Sequence, residues 1–152
     1  MPSLRVLTVS LIPLFASALA AALPVLAGLP IEQVPEGHDI PLERWVEMAD
    51  GRTLTYHTMD GAFFAREYYH PGSNRVTLQF ADGTCSRGTW DYSAPRYCYY
   101  WEREGTVCFR HMRYGDAALI IQLTEDGSDT PLLQLMSGVS DTVLSCGPPL
   151  IG

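Results

Sequence analysis

Apolar and polar residues alternate along most of the chain after Gly51, in short segments that turn residues separate. A period of two places one side of a strand in a core and leaves the other in water. About eight such segments recur at a spacing typical of an all-β sandwich or barrel. They are residues 52–59, 62–70, 75–81, 85–92, 96–101, 106–114, 117–124 and 131–137, with a weaker ninth candidate at 139–144.

Every link between these segments is too short for a parallel crossover. Neighbours in the chain are therefore expected to be antiparallel neighbours in space, and Asp60-Gly61 is a strong hairpin signal. The sequence predicts an all-β fold, an antiparallel up-and-down meander of about eight strands that closes into a small, lipocalin-like barrel or forms a sandwich. Closure would leave no strand edge exposed.

The alternation also predicts which side chains face the core. Inward positions are expected for Val76, Leu78 and Phe80, and for Leu119, Ile121 and Leu123. Segments 96–101 and 106–114 carry bulky residues on both faces, so we expect this hairpin to be covered on both sides.

One short helix is predicted before the strands, over residues 41–49. Pro41 suits a first helical turn, and Asp50-Gly51 ends the helix. Trp45 lies on its apolar face and is expected to pin the helix onto the domain as a plug or lid. Residues 23–40 contain several prolines and acidic residues, which predicts an extended linker.

The first residues form a basic start, an apolar stretch and A-x-A cleavage geometry, a pattern typical of a signal peptide. We predict cleavage near Ala22, which divides the chain into a signal peptide (1–22), the linker (23–40) and a single disulfide-stapled β domain (41–152). An uncleaved membrane anchor is the alternative interpretation, and Pro13 and Pro24 argue against it. The expected location is the periplasm or the outside of the cell, with no membrane span after cleavage.

Charge narrows the possible partners. The formal net charge is −7 for the whole chain, and removal of Arg5 with the signal peptide makes the rest more acidic. All ten basic residues are arginine. An acidic domain without a basic stripe is unsuited to nucleic acid, so no nucleic-acid partner is expected.

The four cysteines follow the signal peptide, and an even count in an oxidising compartment predicts two disulfides. Cys98 and Cys108 occupy equivalent positions on adjacent predicted strands, where facing residues are close enough to bond. That pairing leaves Cys85 with Cys146. The connectivity Cys85–Cys98 with Cys108–Cys146 stays open.

The order of cysteine, glycine and aromatic residues is also recognisable. The motifs are Asp82-Gly83-Thr84-Cys85, Gly88-Thr89-Trp90, Tyr97-Cys98-Tyr99-Tyr100, Cys108-Phe109 and Cys146-Gly147-Pro148. This order resembles a family of small exported proteins of Gram-negative bacteria with a DGxCxxGxW…CFxY…CW…CxGP pattern. Tyr99 replaces the family's phenylalanine and Phe109 its tryptophan, so an aromatic ring is kept at both positions. The resemblance implies an exported, disulfide-stapled domain and no particular activity.

A ligand cavity inside the barrel is one hypothesis for a site, because barrels of this size can hold one small ligand. Its candidate residues are Arg66, Tyr68, Trp90, Tyr100 and Arg110, within an aromatic set that also includes Tyr56, Phe64 and Tyr92. The alternative is a filled core with the arginines outside. Acidic residues, Glu67 among them, are expected at turns or on solvated outward positions.

No catalytic, cofactor or metal residue is predicted, because the four histidines lack metal-ligand spacing and no nucleophile motif is present. We expect a binding or inhibitory module of the periplasm without catalytic activity, whose partner is an unknown small ligand or an envelope protein. A structural accessory protein of the cell envelope is the alternative, and an unrecognised hydrolase is a third interpretation.

Overall fold

The computed structural model describes residues 29–147, so the predicted signal peptide and the start of the predicted linker lie outside the described residues. Eight antiparallel strands form a closed barrel in which β8 returns to pair with β1. The strands are β1 Thr53–Thr58, β2 Phe63–Tyr69, β3 Arg75–Phe80, β4 Cys85–Ser93, β5 Arg96–Trp101, β6 Gly105–Tyr114, β7 Ala117–Leu123 and β8 Asp129–Ser140. The predicted up-and-down barrel is confirmed. The weak ninth segment does not form a separate strand, because β8 continues through its first residues.

The two ends of the barrel differ. A 3-10 helix, Pro30–Gln33, and the α-helix α1, Leu42–Ala49, precede β1 and lie at the end where β1 begins. We call this the closed end; the turns that follow β2, β4 and β6 share it. The turns that follow β1, β3, β5 and β7 lie at the opposite, open end.

Trp45 of α1 seals the closed end. Its side chain is fully buried among the rings of Tyr69, Tyr97 and His111, with centroid distances of 6.3, 5.7 and 3.9 Å. Its indole Nε1 donates a hydrogen bond to the Tyr69 hydroxyl at 3.3 Å. The helix is thus held by a large apolar side chain with a satisfied polar group, and the predicted plug is confirmed.

The segment before α1 is packed, so the expected extended linker is wrong over residues 29–40. Ile31 and Ile40 are buried in the core cluster. The backbone pairs with the end of β6, where Gly37 N donates to Arg113 O at 3.0 Å and Ile40 N to His111 O at 2.7 Å. The segment packs because its spaced apolar residues bury hydrophobic surface against the barrel. The prediction considered only its proline and acidic residues.

The inward face of β7 also differs from the prediction. Ala118 and Ile120 belong to the core cluster, whereas Leu119, Ile121 and Leu123 point the other way. All five side chains are buried. A strand that is apolar on both faces has no alternation to show which face is inside.

Both disulfides have the connectivity that strand positions favoured. Cys98 and Cys108 face each other across β5 and β6, with their Cα atoms 4.1 Å apart. Cys85, at the start of β4, is joined to Cys146. Thr53 Oγ1 donates to the carbonyl oxygen of Thr142. The C-terminal tail, residues 141–147, therefore runs outside the barrel from β1 to β4.

Replacement of the plug should destabilise the whole domain. We expect Trp45→Ala to lower the free energy of unfolding by about 3–5 kcal/mol, because it removes a buried ring and leaves a cavity. Denaturant unfolding followed by far-UV circular dichroism measures this. Val46→Ala is the matched control, because the adjacent Val46 side chain is 38% exposed. Equal losses in the two variants would show that α1 does not seal the barrel.

The two disulfides should contribute unequally, since they close loops with sequence separations of 61 and 10 residues. In the chain-entropy model, loss of Cys85–Cys146 costs about 4 kcal/mol and loss of Cys98–Cys108 about 3 kcal/mol. Denaturant unfolding of the double alanine variants Cys85→Ala/Cys146→Ala and Cys98→Ala/Cys108→Ala compares them. A larger loss of stability in Cys98→Ala/Cys108→Ala would contradict the view that the disulfides stabilise mainly by restricting the unfolded chain.

Candidate functional site

A cavity of about 370 Å³ opens at the open end of the barrel and extends down to the layer of rings around Trp45. We call it the cup. Its size is at the lower end of the range for small-molecule sites, roughly 300–1,000 Å³. It is lined by Tyr56, Phe64, Glu67, Leu78, Phe80, Tyr99, Trp101, Glu104, Thr106, Val107, Phe109, His111, Ile120, Gln122 and Gln134. The barrel interior is therefore filled at the closed end and hollow at the open end.

Aromatic rings form much of the cup wall. Tyr99 and Trp101 are nearly parallel, with an interplanar angle of 4° and centroids 5.9 Å apart. Phe109 meets Tyr99 edge to face at 5.8 Å. Gly88 makes room for Trp101, because a Cβ atom at Gly88 would lie 2.8 Å from its ring. The faces of several rings are thus available to a molecule in the cup.

Glu67 is the one buried carboxyl group in the cup. It lies on β2 between Ala65 and Tyr69, which point to the same face, and it is 4% exposed. The Tyr56 hydroxyl donates a hydrogen bond to its Oε2 at 2.7 Å. Within residues 29–147 no arginine forms an ion pair with it. A buried carboxyl group without a cationic partner is costly in its charged form.

Burial accordingly raises the pKa of Glu67 to about 7, although the hydroxyls of Tyr56 and Tyr69 oppose this shift. The pKa of Tyr56 is also raised, first by burial and then by the Glu67 charge. Near neutral pH, Glu67 is therefore poised between its charged and uncharged forms. Strongly shifted carboxyl groups in cavities are concentrated at functional sites.

The floor of the cup is aromatic and uncharged. The hydroxyls of Tyr69 and Tyr99 are hydrogen bonded at 2.7 Å. His111 stacks on Tyr97 with centroids 3.9 Å apart, and burial lowers its pKa well below the usual value. Its Nδ1 atom is buried and has no hydrogen-bond partner among residues 29–147. His111 therefore supplies no positive charge to balance Glu67.

Sequence reasoning placed two arginines in the cavity, and the structure places both outside. Arg66 is exposed. Arg110 lies on the same side of β6 as Cys108 and forms ion pairs with Asp39 and Asp129, both at 2.9 Å. The hypothesis of a cavity with arginine side chains inside is wrong.

The three predicted aromatic residues are also not cup residues. Tyr100 is 43% exposed and donates to Asp91 at 2.9 Å outside the barrel. Tyr68 points to the opposite face from Glu67. Trp90 is inside, but it packs against Tyr97 in the floor. Of the wider aromatic set, Tyr56 and Phe64 do line the cup, and Tyr92 packs in the floor.

Glu67 was the residue that sequence reasoning missed, because it was expected on a solvated outward position. Glu67 shares a face of β2 with Ala65 and Tyr69. Recognising that this face points into the barrel was the only way to predict from the sequence that Glu67 is buried.

The histidines outside the core have ordinary side-chain partners. His57 is hydrogen bonded to Ser137 at an exposed position, and His70 to Thr77. In the described part of the chain, no cluster of three or more histidine, cysteine or acidic side chains could hold a metal ion.

Two other concavities lie on the surface. One, of about 530 Å³, lies between α1 and β4, and the other, of about 640 Å³, lies beside the Cys85–Cys146 bridge. Neither is lined by a buried ionisable carboxyl group. The cup is the site with the most defined chemistry, namely an apolar, aromatic wall with one buried acid.

Comparison with known proteins gives no guide to identity, since no family model, curated protein or solved structure matches the chain. The family resemblance of the cysteine motifs stays a prediction. Between residues 29 and 147, none of the helices has the length and apolar character needed to span a bilayer.

The raised pKa of Glu67 makes domain stability pH dependent. Because the folded-state pKa of Glu67, about 7, exceeds the ordinary glutamate value of 4.5, the folded state binds more protons between these pH values. The Glu67 contribution is therefore most favourable below about pH 4.5 and declines by about 3 kcal/mol as pH rises through 7. We expect Glu67→Gln to gain stability relative to the native protein over this range.

Denaturant unfolding at about pH 5 and about pH 8 tests this linkage. Glu102→Gln is the control, since Glu102 is exposed in the turn between β5 and β6. A constant difference between Glu67→Gln and the native protein at both pH values would show that Glu67 is not desolvated.

Proposed function

We propose that this protein is exported from the cytoplasm and acts in the periplasm as a non-catalytic binding module that holds one small organic molecule in the cup. Two features support export: the signal-peptide pattern of residues 1–22 and the pairing of all four cysteines in disulfides. Binding is supported by the cup itself.

The observation that carries the binding proposal is the buried Glu67 carboxyl group at an open aromatic cavity. A barrel with a purely structural role gains nothing from this acid, because an apolar residue of similar volume avoids its desolvation. Small-molecule sites typically combine apolar walls with a few convergent polar groups. The Glu67–Tyr56 pair and the apolar cup wall have this combination.

A neutral environment-sensitive dye, N-phenyl-1-naphthylamine, tests whether the cup accepts a molecule. We expect saturable binding with one dye per protein and enhanced dye fluorescence. Val107→Trp should abolish this binding, because Val107 lines the cup and a larger ring would fill it. Val143→Trp is the matched control, since Val143 is 63% exposed on the C-terminal tail.

Thermal unfolding of both variants establishes that each is folded. Native mass spectrometry of protein taken from its own cell envelope then detects a molecule that was bound there. A folded native protein that takes up neither the dye nor any retained molecule would contradict the proposal, as would equal dye binding by Val107→Trp.

A further inference from the structure

The charge inside the cup indicates which molecules it favours. Its lining contains two carboxyl groups, Glu67 in the interior and Glu104 near the mouth, and no arginine. The chain contains no lysine that might approach instead. The single lining histidine, His111, is kept uncharged by burial. An anionic ligand would meet only negative or neutral groups there.

The aromatic wall of the cup also favours a positively charged ligand. The faces of aromatic rings carry negative electrostatic potential and attract cations, by about 2 kcal/mol or more where water is excluded. Tyr99, Trp101 and Phe109 are packed together in the wall, and Phe64 and Phe80 form a further edge-to-face pair. Rings around a carboxylate form the type of site that binds ammonium groups.

We infer that the cup binds a small organic cation, an amine or a quaternary ammonium compound, with its positive charge beside the Glu67 carboxylate and among the rings of the wall. This inference rests on the proposed function and specifies its ligand class. The bound cation supplies the countercharge that no residue between 29 and 147 gives Glu67 as an ion pair. Glu104 contributes negative charge at the mouth.

Binding of a cation to this site depends on pH through Glu67. The titratable groups that interact with Glu67 are Tyr56 of β1, Tyr69 of β2 and Tyr99 of β5, while its cross-strand neighbours Leu54 and Leu78 are apolar. The cup lining adds His111 of β6 and, near the mouth, Glu104. Burial raises the pKa of these three tyrosines and lowers that of His111, so all four stay uncharged near neutral pH. Protonation of Glu67 below its pKa of about 7 therefore weakens cation binding.

Phenyltrimethylammonium and tert-butylbenzene are the probes, because they have the same shape and differ in charge, and neither titrates near neutral pH. Displacement of N-phenyl-1-naphthylamine gives both affinities. We expect the cation to bind the native protein at least about tenfold more tightly than tert-butylbenzene at about pH 8. Its affinity should fall about tenfold at about pH 6, while that of tert-butylbenzene should not follow this titration.

Glu67→Gln should lower the ratio of the two affinities at about pH 8 about tenfold and remove its pH dependence, and the rings and Glu104 should keep any remaining preference. Glu102→Gln, outside the cup, should keep the native ratio. Thermal unfolding shows whether each variant is folded. The inference is overturned if the native protein binds the two probes equally, or if Glu67→Gln keeps the native ratio and its pH dependence. If the native protein binds tert-butylbenzene and the dye without preference for the cation, the proposed function still stands. Failure to bind any of the three overturns both.

Discussion

The pairing of β8 with β1 is the constraint on which the rest of the structure depends. It closes the hydrogen-bonded ladder, so every strand residue points either into the barrel or away from it. An eight-stranded barrel has an interior just wide enough for side chains to fill. Here Trp45 and the surrounding rings fill the closed end, and the interior space that remains is the cup.

The barrel was predictable because glycine-containing turns and short links leave few topologies for eight alternating segments. The facing of individual side chains was harder. Tyr56 pairs with Ala65 and His57 with Phe63, so Phe64 is an extra residue in the β1–β2 ladder. Phe64 lines the cup although the residues that alternate with it on β2 point outward. A bulge of this kind reverses the faces on one side of it, and the sequence pattern does not locate the bulge.

For two candidate cavity residues, Tyr100 and Arg110, the sequence itself indicated an outward position. Cys98 and Cys108 face each other on the outside of β5 and β6. Tyr100 and Arg110 each lie two residues further along the same strand, so both must also point outward. No disulfide on β2 fixes the face of Glu67 in this way. Its inward position depends on the pairing of β2 with β1 and β3, where Glu67 lies opposite Leu54 and Leu78.

The turns around the mouth of the cup differ in whether a disulfide holds the adjoining strands. The turn between β3 and β4 is tied to the tail through Cys85, and the hairpin of β5 and β6 is stapled at Cys98. The turns after β1 and β7 have no such restraint. Because α1 blocks the far end, the open end is the route by which the proposed ligand would reach the cup, and these two turns are the part of its rim without a nearby disulfide.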